Sequence, residues 1–194
     1  MQRAPVIVLV AGEASGDLLG SRLIDALRQR YPDAQFFGIG GPKMIAAGCQ
    51  SWFDQERLAV RGLVEVIKHL PQLLRIRREL IRRILRAKPD LYIGIDAPDF
   101  NLRIERKLKA KGIRTAHMVS PTIWAWRRGR IKTIRRSVSH MLVLLPFEEQ
   151  IYRDAGIPVT FIGHPLADEI PAQIDHDAVR EHLRLPAGAP VITL

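Results

Sequence analysis

The most reactive pattern in this chain is a carboxylate placed directly after an apolar run. Leu-Tyr-Ile precedes Gly-Ile-Asp-Ala-Pro-Asp, and the run is typical of a buried parallel strand. Asp96 is then expected at the carboxyl end of that strand, where open α/β sheets bind ligands, and it could act as a general base. The alternative is that Asp96 only hydrogen-bonds its own loop. Asp99 is expected to cap the helix that follows, beginning at Phe100.

A turn of small residues, Gly-Glu-Ala-Ser-Gly-Asp, begins at Gly12, after the first apolar run. Its spacing of Gly12 and Gly16 does not match the dinucleotide-binding fingerprint. Small side chains would still let a ligand approach the backbone and the amino end of the next helix. The acidic Glu13 and Asp17 favour sugar hydroxyls over phosphate. The alternative is a tight strand–helix turn capped by Ser15 or Asp17.

Two tryptophans lie two positions apart, after a predicted strand and before a basic segment. Trp124 and Trp126, beside Arg127, suit stacking on a sugar face or a lipid interface. The alternative is that both are core anchors. His164 is a weaker candidate for ligand contact, because a histidine in a Gly-His-Pro loop is more often a simple loop residue.

An apolar ridge precedes an arginine-rich tract. The ridge is expected to contact a membrane and comprises Val64, Val66, Ile67, Leu70, Leu73 and Leu74. Apolar residues beside cations are typical of an interfacial helix in anionic lipid. The alternative is a fully buried crossover helix.

Composition narrows the classes of protein. The chain has 194 residues, 47% hydrophobic and 26% charged, with a net charge of +10. Its single cysteine excludes a disulfide framework, and no metal-ligand cluster is apparent. No apolar run is long enough to span a bilayer, and the start does not read as a signal peptide, so a cytoplasmic, unprocessed protein is expected. Two clusters of basic residues, at 75–88 and 127–136, favour anionic partners. The alternative is that each cluster is a solvent-exposed face with no binding role.

Apolar runs and helical spacings alternate along the chain, which predicts an α/β fold with a doubly wound, mostly parallel, Rossmann-like sheet. The predicted strands are 6–11, 36–39, 91–95, 114–119, 140–145 and 159–161. The predicted helices are 18–30, 43–47, 63–86, 100–111, 128–137, 147–155 and 177–185. Pro71 is expected to break or restart the third of these helices.

The carboxyl-terminal residues suggest a second domain. We expect a connector over 166–174, a helix capped by Asp175, and a fresh strand over 190–194. The predicted division is an amino-terminal domain over 1–165 and the first elements of a truncated domain over 166–194.

Seven motifs occur in one order along the chain. They are Val-Ala-Gly-Glu-Ala-Ser-Gly-Asp from Val10, Gly-Pro-Lys-Met from Gly41, Leu-Ala-Val from Leu58, Gly-Ile-Asp-Ala-Pro-Asp-Phe-Asn from Gly94, Ser-Pro-Thr-Ile-Trp-Ala-Trp-Arg from Ser120, Leu-Pro-Phe-Glu from Leu145 and Phe-Ile-Gly-His-Pro from Phe161. Each is weak alone. Together they resemble bacterial lipid-A-disaccharide synthase, a glycosyltransferase family of the two-domain GT-B type.

The resemblance implies transfer of diacylglucosamine from UDP-2,3-diacylglucosamine to 2,3-diacylglucosamine 1-phosphate, with an inverted β-1,6 linkage and release of UDP. It implies that Asp96 is the general base and that no cofactor or metal takes part. The substrate-binding residues it implies are Gly12, Glu13, Ser15, Gly16, Asp99, Asn101, Ser120, Trp124, Trp126, Arg127 and His164.

The resemblance also implies an acceptor-binding role for this half and an anionic inner-membrane surface as partner, with a homodimer of the complete enzyme. The donor-binding loop would lie beyond residue 194, so this chain alone is expected to be inactive. Two other classes stay open: a non-catalytic acceptor- or membrane-binding module, and a nucleic-acid binder. Against the latter, the sequence carries no recognised nucleic-acid motif.

Overall fold

A seven-stranded, all-parallel sheet organises the chain. The structure is a computed structural model that describes residues 3–58, 63–125, 128–186 and 188–192, without the side chains of 63–69 and 128. The strands are β1 (Val6–Ala11), β2 (Gln35–Ile39), β3 (Cys49–Ser51), β4 (Leu91–Ile95), β5 (Thr115–Met118), β6 (His140–Val143) and β7 (Val159–Phe161). Their order is β3-β2-β1-β4-β5-β6-β7. The predicted doubly wound α/β fold is confirmed.

Helices connect the strands. They are α1 (Ala14–Arg30), α2 (Pro42–Ala46), α3 (Leu63–Ala87), α4 (Pro98–Lys109), α5 (Ile131–Ser137), α6 (Glu148–Asp154), α7 (Pro165–Glu169) and α8 (His176–His182). Short 3-10 turns occupy Gln55–Arg57 and Arg128–Arg130.

The strand order reverses between β1 and β4, which creates the switch point at which such sheets bind ligands. Ala11 pairs with Ile95 at the last register position of the two strands. The turns that follow, beginning at Gly12 and Asp96, therefore leave the sheet side by side.

Apolar side chains pack on both faces of the sheet. On one face β1 and β2 contact α1 and α2 through residues such as Leu9 and Ile24, both fully buried. On the other face α3 and α4 pack through Leu80, Ile84 and Ile104, which are also fully buried. This burial supplies the main stabilisation of the layers.

Three local predictions are wrong. The three-residue β3 was not predicted, because Cys-Gln-Ser has no apolar alternation and depends on pairing with β2. Helix α3 runs through Pro71 without interruption, so its buried face outweighs the loss of one backbone hydrogen bond. Asp99 is not a cap: α4 already begins at Pro98, and its N-cap is Ala97.

The residues from His164 onward form a separate compact unit. Helix α7 lies where a connector was expected, and α8 begins after Asp175, whose carboxylate accepts the backbone N–H of Asp177 at 3.1 Å, as predicted for a cap. The expected strand over 190–194 is not formed at residues 190–192, and the last two residues lie outside the description. Val179 and Leu183 on and after α8 are 45% and 57% exposed.

Candidate active site

The turn after β4 places Asp96 in an unusual backbone conformation. Asp96 and Ala97 have φ angles of 53° and 42°, in the left-handed region that residues other than glycine seldom occupy. The backbone N–H of Asp96 donates to the carbonyl of Met118 at 2.9 Å, which fastens the turn to β5. Such conformations persist only where the surrounding structure imposes them, and they concentrate at functional sites.

Asp96 lies in a cleft of about 560 Å³, half-buried. The cleft is lined by Asp96, Pro98, Asp99, the segment 119–123 and Arg130. Within the described ranges, no hydrogen bond to the Asp96 carboxylate is found, so its lone pairs are available to a ligand. A carboxylate in this state is able to accept a proton from a bound hydroxyl.

Arg130 carries the positive charge of the same cleft. Its guanidinium forms an ion pair with Asp99, whose side chain is 82% exposed whereas that of Arg130 is 18% exposed. Asp99 therefore faces the cleft rather than capping α4, and its predicted substrate contact stays a prediction.

The turn after β5 is strained in the same way. Val119 has a φ of 76°, which is rare for a β-branched residue, and its N–H donates to the carbonyl of Leu142 at 3.0 Å. The turn orients Ser120, whose hydroxyl lies 2.7 Å from that of Tyr152. Burial raises the pKa of Tyr152 to about 12, so the phenol stays protonated and the Ser120–Tyr152 hydrogen bond persists at neutral pH.

A buried carboxylate lies behind Ser120. Glu148, at the start of α6, accepts the N–H of Leu145 at 3.2 Å. Burial raises the pKa of this carboxyl, and the hydrogen bond from Leu145 opposes the rise. Trp124 is 41% exposed and packs edge-on against Phe147 at 5.3 Å. Trp124 is therefore not the core anchor of the alternative interpretation. Trp126 and Arg127 lie outside the described residues.

A second cleft of about 770 Å³ adjoins the turn after β1. Gly12 and Glu13 line it together with Gly40 to Pro42, Ile45 and residues 51–56, which comprise the last residue of β3 and the segment after it. Gln55 fixes this wall by donating from its amide to the carbonyls of Ala11 and Glu13, at 3.2 and 3.0 Å. Sequence reasoning missed residues 51–56 because β3 was missed, although Trp52 in that segment is the third tryptophan of the chain.

Asp17 does not face this cleft. Its carboxylate is buried, at 3% exposed, and accepts the backbone N–H groups of Gly41, Lys43 and Met44 at 2.8, 3.0 and 2.9 Å. Asp17 thus satisfies the amino end of α2, whereas the expectation placed it beside a ligand or on the end of α1. Helix α1 begins after Glu13, which makes no side-chain cap hydrogen bond.

The other small residues of this turn differ in exposure. Ser15 is exposed on the first turn of α1, so its predicted ligand contact stays a prediction. Gly16 is buried, and a Cβ there would lie 3.3 Å from that of Ala11, so this glycine permits helix–strand packing. A Cβ at Gly12 would lie 2.9 Å from that of Ala97, which shows that the two turns are in contact.

Asn101 is buried, and its predicted contact with substrate stays a prediction. Its side chain hydrogen-bonds Tyr92 and the carbonyls of Val10 and Asp96. The amide is therefore part of the support of the site.

The remaining candidates are His164 and the apolar ridge, for which the structure describes only some of the predicted contacts. His164 precedes α7, and its Nδ1 accepts the N–H of Leu166 at 3.2 Å; its ligand contact stays a prediction. In the ridge, Leu70 is 46% exposed, and Leu73 and Leu74 are half-buried. The side chains of Val64, Val66 and Ile67 lie outside the description. The alternative of a fully buried helix is thus wrong at Leu70, and the membrane contact of the ridge stays a prediction.

Within the described ranges, no three His, Cys, Asp or Glu side chains converge as a metal ion would require. Over the same ranges, no helix combines the length and apolarity needed to cross a bilayer.

Comparison with known proteins identifies relatives of the chain. The family model described as lipid-A-disaccharide synthetase matches residues 7–194. The chain is 58% identical to the lipid-A-disaccharide synthase of Methylobacillus flagellatus over 98% of its own length and 50% of that protein. It is 55% identical to the Pseudomonas aeruginosa PAO1 synthase over 97% of its own length and 50% of that protein. The chain thus spans about half the length of the curated relatives it matches.

Two solved structures share the fold. A UDP-GlcNAc 2-epimerase from Neisseria meningitidis bound to UDP-GlcNAc matches 79% of this chain and 44% of its own, with a TM-score of 0.51 and 9% identity. A Glycyrrhiza uralensis protein complexed with glycyrrhetinic acid 3-O-monoglucuronide matches 84% of this chain and 49% of its own, also with a TM-score of 0.51 and 9% identity. At such identity the likeness concerns the fold alone.

Proposed function

Because this chain belongs to the lipid-A-disaccharide synthase family, we propose that it is the acceptor-binding, general-base half of that glycosyltransferase. The donor is UDP-2,3-diacylglucosamine, and the acceptor is 2,3-diacylglucosamine 1-phosphate. The product is a β-1,6-linked disaccharide 1-phosphate, released with UDP.

The observation that carries this proposal is the Asp96 carboxylate, which lies in a cleft between the turns after β4 and β5 and has no hydrogen-bond donor among the described residues. The strand carrying it, β4, adjoins the reversal of strand order. In the proposed reaction, Asp96 takes the proton of the acceptor 6-hydroxyl as its oxygen bonds to the anomeric carbon of the donor. The bond from that carbon to the UDP phosphate oxygen breaks, and UDP leaves with the electron pair. One displacement inverts the anomeric centre from α to β and needs a single base.

The remaining site residues surround this reaction. Arg130 supplies positive charge beside Asp96, and Trp124 offers a partly exposed ring to a sugar or acyl chain. The diphosphate that leaves needs cationic or helix-end stabilisation, which we assign mainly to a second domain. No cofactor or metal enters the proposed mechanism.

A chimera tests the function directly. The chain is joined to the carboxyl-terminal half of the Methylobacillus flagellatus synthase, supplied with both lipid substrates, and assayed for disaccharide by mass spectrometry. We expect one UDP released per disaccharide, and no product from the chain alone or from the relative's half alone. A folded chimera that binds both lipids but transfers no sugar would contradict the proposal.

Calorimetric titration of the chain with UDP tests the assignment of the donor site. Among the described residues that line the clefts at Gly12 and at Asp96, Arg130 is the one cation, so we expect no binding in the micromolar range. Micromolar binding would show that the nucleotide contacts lie in this half, and the roles of the two domains would be reversed.

We further propose that the protein binds the cytoplasmic surface of the inner membrane through the ridge on α3. Leu70 is exposed, and the helix continues into an arginine-rich segment whose opposite face, with Leu80 and Ile84, is buried. The complete enzyme is proposed to act there as a homodimer.

Serine substitution of the six ridge residues tests the membrane proposal. The variant should lose sedimentation with anionic vesicles and keep the wild-type melting temperature. As a control, Leu80→Ser should unfold the chain, because it removes a buried core side chain. A collapsed melting temperature in the ridge variant would instead show that the ridge is core.

A further inference from the structure

The buried amide of Asn101 joins the end of β1 to the turn after β4, at the switch point of the sheet. Asn101 Nδ2 donates to the carbonyl of Val10 at 3.2 Å and to that of Asp96 at 2.9 Å. Its Oδ1 accepts the hydroxyl of Tyr92 at 2.9 Å. Both amide protons and the amide oxygen are therefore used, as a buried polar group requires.

The two carbonyls that accept hydrogen bonds from Asn101 belong to different parts of the site. Val10 lies two residues before Gly12, in the strand that leads to the larger cleft. The Asp96 carbonyl belongs to the peptide that follows the proposed base, in a turn where φ is positive at both Asp96 and Ala97. Because a hydrogen bond to this carbonyl fixes the orientation of its peptide plane, the amide of Asn101 helps to hold the conformation that directs the Asp96 side chain.

Tyr92 determines which way the amide of Asn101 points. The phenol is fully buried, and burial together with the nearby Glu105 raises its pKa well above the ordinary value. Tyr92 therefore stays protonated and donates to Asn101 Oδ1, and this hydrogen bond favours the orientation in which the NH₂ group faces the two carbonyls.

We propose that Asn101 is a positioning residue that sets the backbone of Asp96 relative to the turn after β1, and that Tyr92 orients it. This role rests on the proposed function, because its kinetic consequence depends on Asp96 acting as the base.

Glu105 provides a matched control on the same helix. It lies one helical turn beyond Asn101 and is equally buried, and its carboxylate hydrogen-bonds His117 at 2.7 Å. Among the described residues it makes no hydrogen bond to either turn. Glu105→Gln therefore perturbs buried polar packing under α4 without breaking the connection to Asp96.

The connection is tested on the chain itself by amide NMR spectra. Asn101→Asp replaces the NH₂ group by an oxygen that cannot donate, and it should shift the amide signals of both residues 11–13 and residues 96–97. Glu105→Gln should leave both sets in place. Signals of residues 96–97 that stay unchanged in Asn101→Asp would overturn the proposal whatever the protein's activity.

The kinetic consequence is tested in the chimera described above. Asn101→Asp should lower kcat about 10- to 100-fold, because a small displacement of a reacting group has effects of that order. The acceptor KM should change less than about threefold, since no binding group is removed. Tyr92→Phe, which adds no charge to the interior, should lower kcat about three- to tenfold and keeps the test open if Asn101→Asp fails to fold.

The outcomes separate the two proposals. Loss of kcat in Asn101→Asp and Tyr92→Phe, with Glu105→Gln near wild type at a similar loss of melting temperature, supports positioning by Asn101. An equal loss of kcat in Glu105→Gln would mean that any damage under α4 has the same effect, and the positioning role would be wrong. If Asp96→Asn itself keeps full turnover, the proposed function fails instead.

Discussion

The segments after β1 and β4 make an instructive pair, because they leave adjacent strands side by side and each carries an aspartate. Asp17 lies in the first helical turn of α1, and Asp96 lies in the turn before α4. Asp17 is buried, and three backbone N–H groups occupy its carboxylate. Asp96 is half-buried, in a cleft where no described residue donates to it. The same side chain is thus structural in one turn and available for chemistry in the other. What separates them is whether protein donors already use the oxygen lone pairs.

The largest effect is expected at Asp96. In the chimera, Asp96→Asn keeps the shape of the side chain but removes the base, so turnover should fall on the order of 10²–10⁴-fold. Acceptor binding and the melting temperature should change little, because the native carboxylate makes no described hydrogen bond. Asp33→Asn, an exposed position with the same change of charge, is the control. Turnover that survives in Asp96→Asn would eliminate this residue as the base.

Asp17→Asn should show the opposite behaviour. The variant loses charge-assisted hydrogen bonds to the amino end of α2, so the free energy of unfolding should fall by roughly 2–4 kcal/mol. Urea denaturation of the chain measures this, with the exposed Asp25→Asn on α1 as control. If Asp17→Asn unfolds like wild type, the three hydrogen bonds contribute little and the contrast between the turns fails.

The sequence predicted Asp96 better than Asp17 for a physical reason. The position of Asp96 depends on a local pattern, an apolar strand followed by a turn, and β4 was predicted with its observed bounds. The partners of Asp17 are the N–H groups of Gly41, Lys43 and Met44, which are distant in sequence, and no local spacing indicates them. Partners brought together by the fold decide the role of a buried polar residue, so a sequence pattern alone could not assign it.

The same limit explains the other differences. Asn101 stands in a motif with Asp96, but its burial and its hydrogen bonds to Tyr92 and Val10 depend on how α4 packs on β1 and β4. The wall at residues 51–56 follows a strand too short to show periodicity. By contrast, the alternation of strands and helices can be recognised from local runs and spacings of apolar residues. The parallel, doubly wound sheet was predicted from that alternation.

Contact between the two turns is tested at Gly12. A Cβ at this position would approach that of Ala97 to 2.9 Å, so Gly12→Ala must displace one turn from the other. We expect a loss of about 1–3 kcal/mol in the free energy of unfolding, typical of overpacking. Turnover of the chimera should also fall, because Ala97 adjoins Asp96.

Gly129→Ala is the matched control, since a Cβ there would meet no atom of the described residues within 4 Å, apart from its own chain neighbours. A Gly12→Ala variant with wild-type stability and turnover would show that the two turns move independently. The comparison between them would then describe two separate sites.

Glu148 gives the smallest effect and an intermediate case, because its carboxylate is buried like that of Asp17 but burial raises its pKa. A folded-state pKa above the unfolded value of about 4.3 means that the folded protein holds this proton more tightly. The contribution of Glu148 to stability is therefore greatest below that value and is lost as pH rises through the folded-state pKa.

Glu148→Gln removes this dependence, so the difference in free energy of unfolding should move in the variant's favour as pH rises from about 4 to about 7. Urea denaturation across that range measures it, with the exposed Glu56→Gln as control. A difference that stays constant with pH, or moves toward the wild type, would show that burial does not raise the pKa of Glu148.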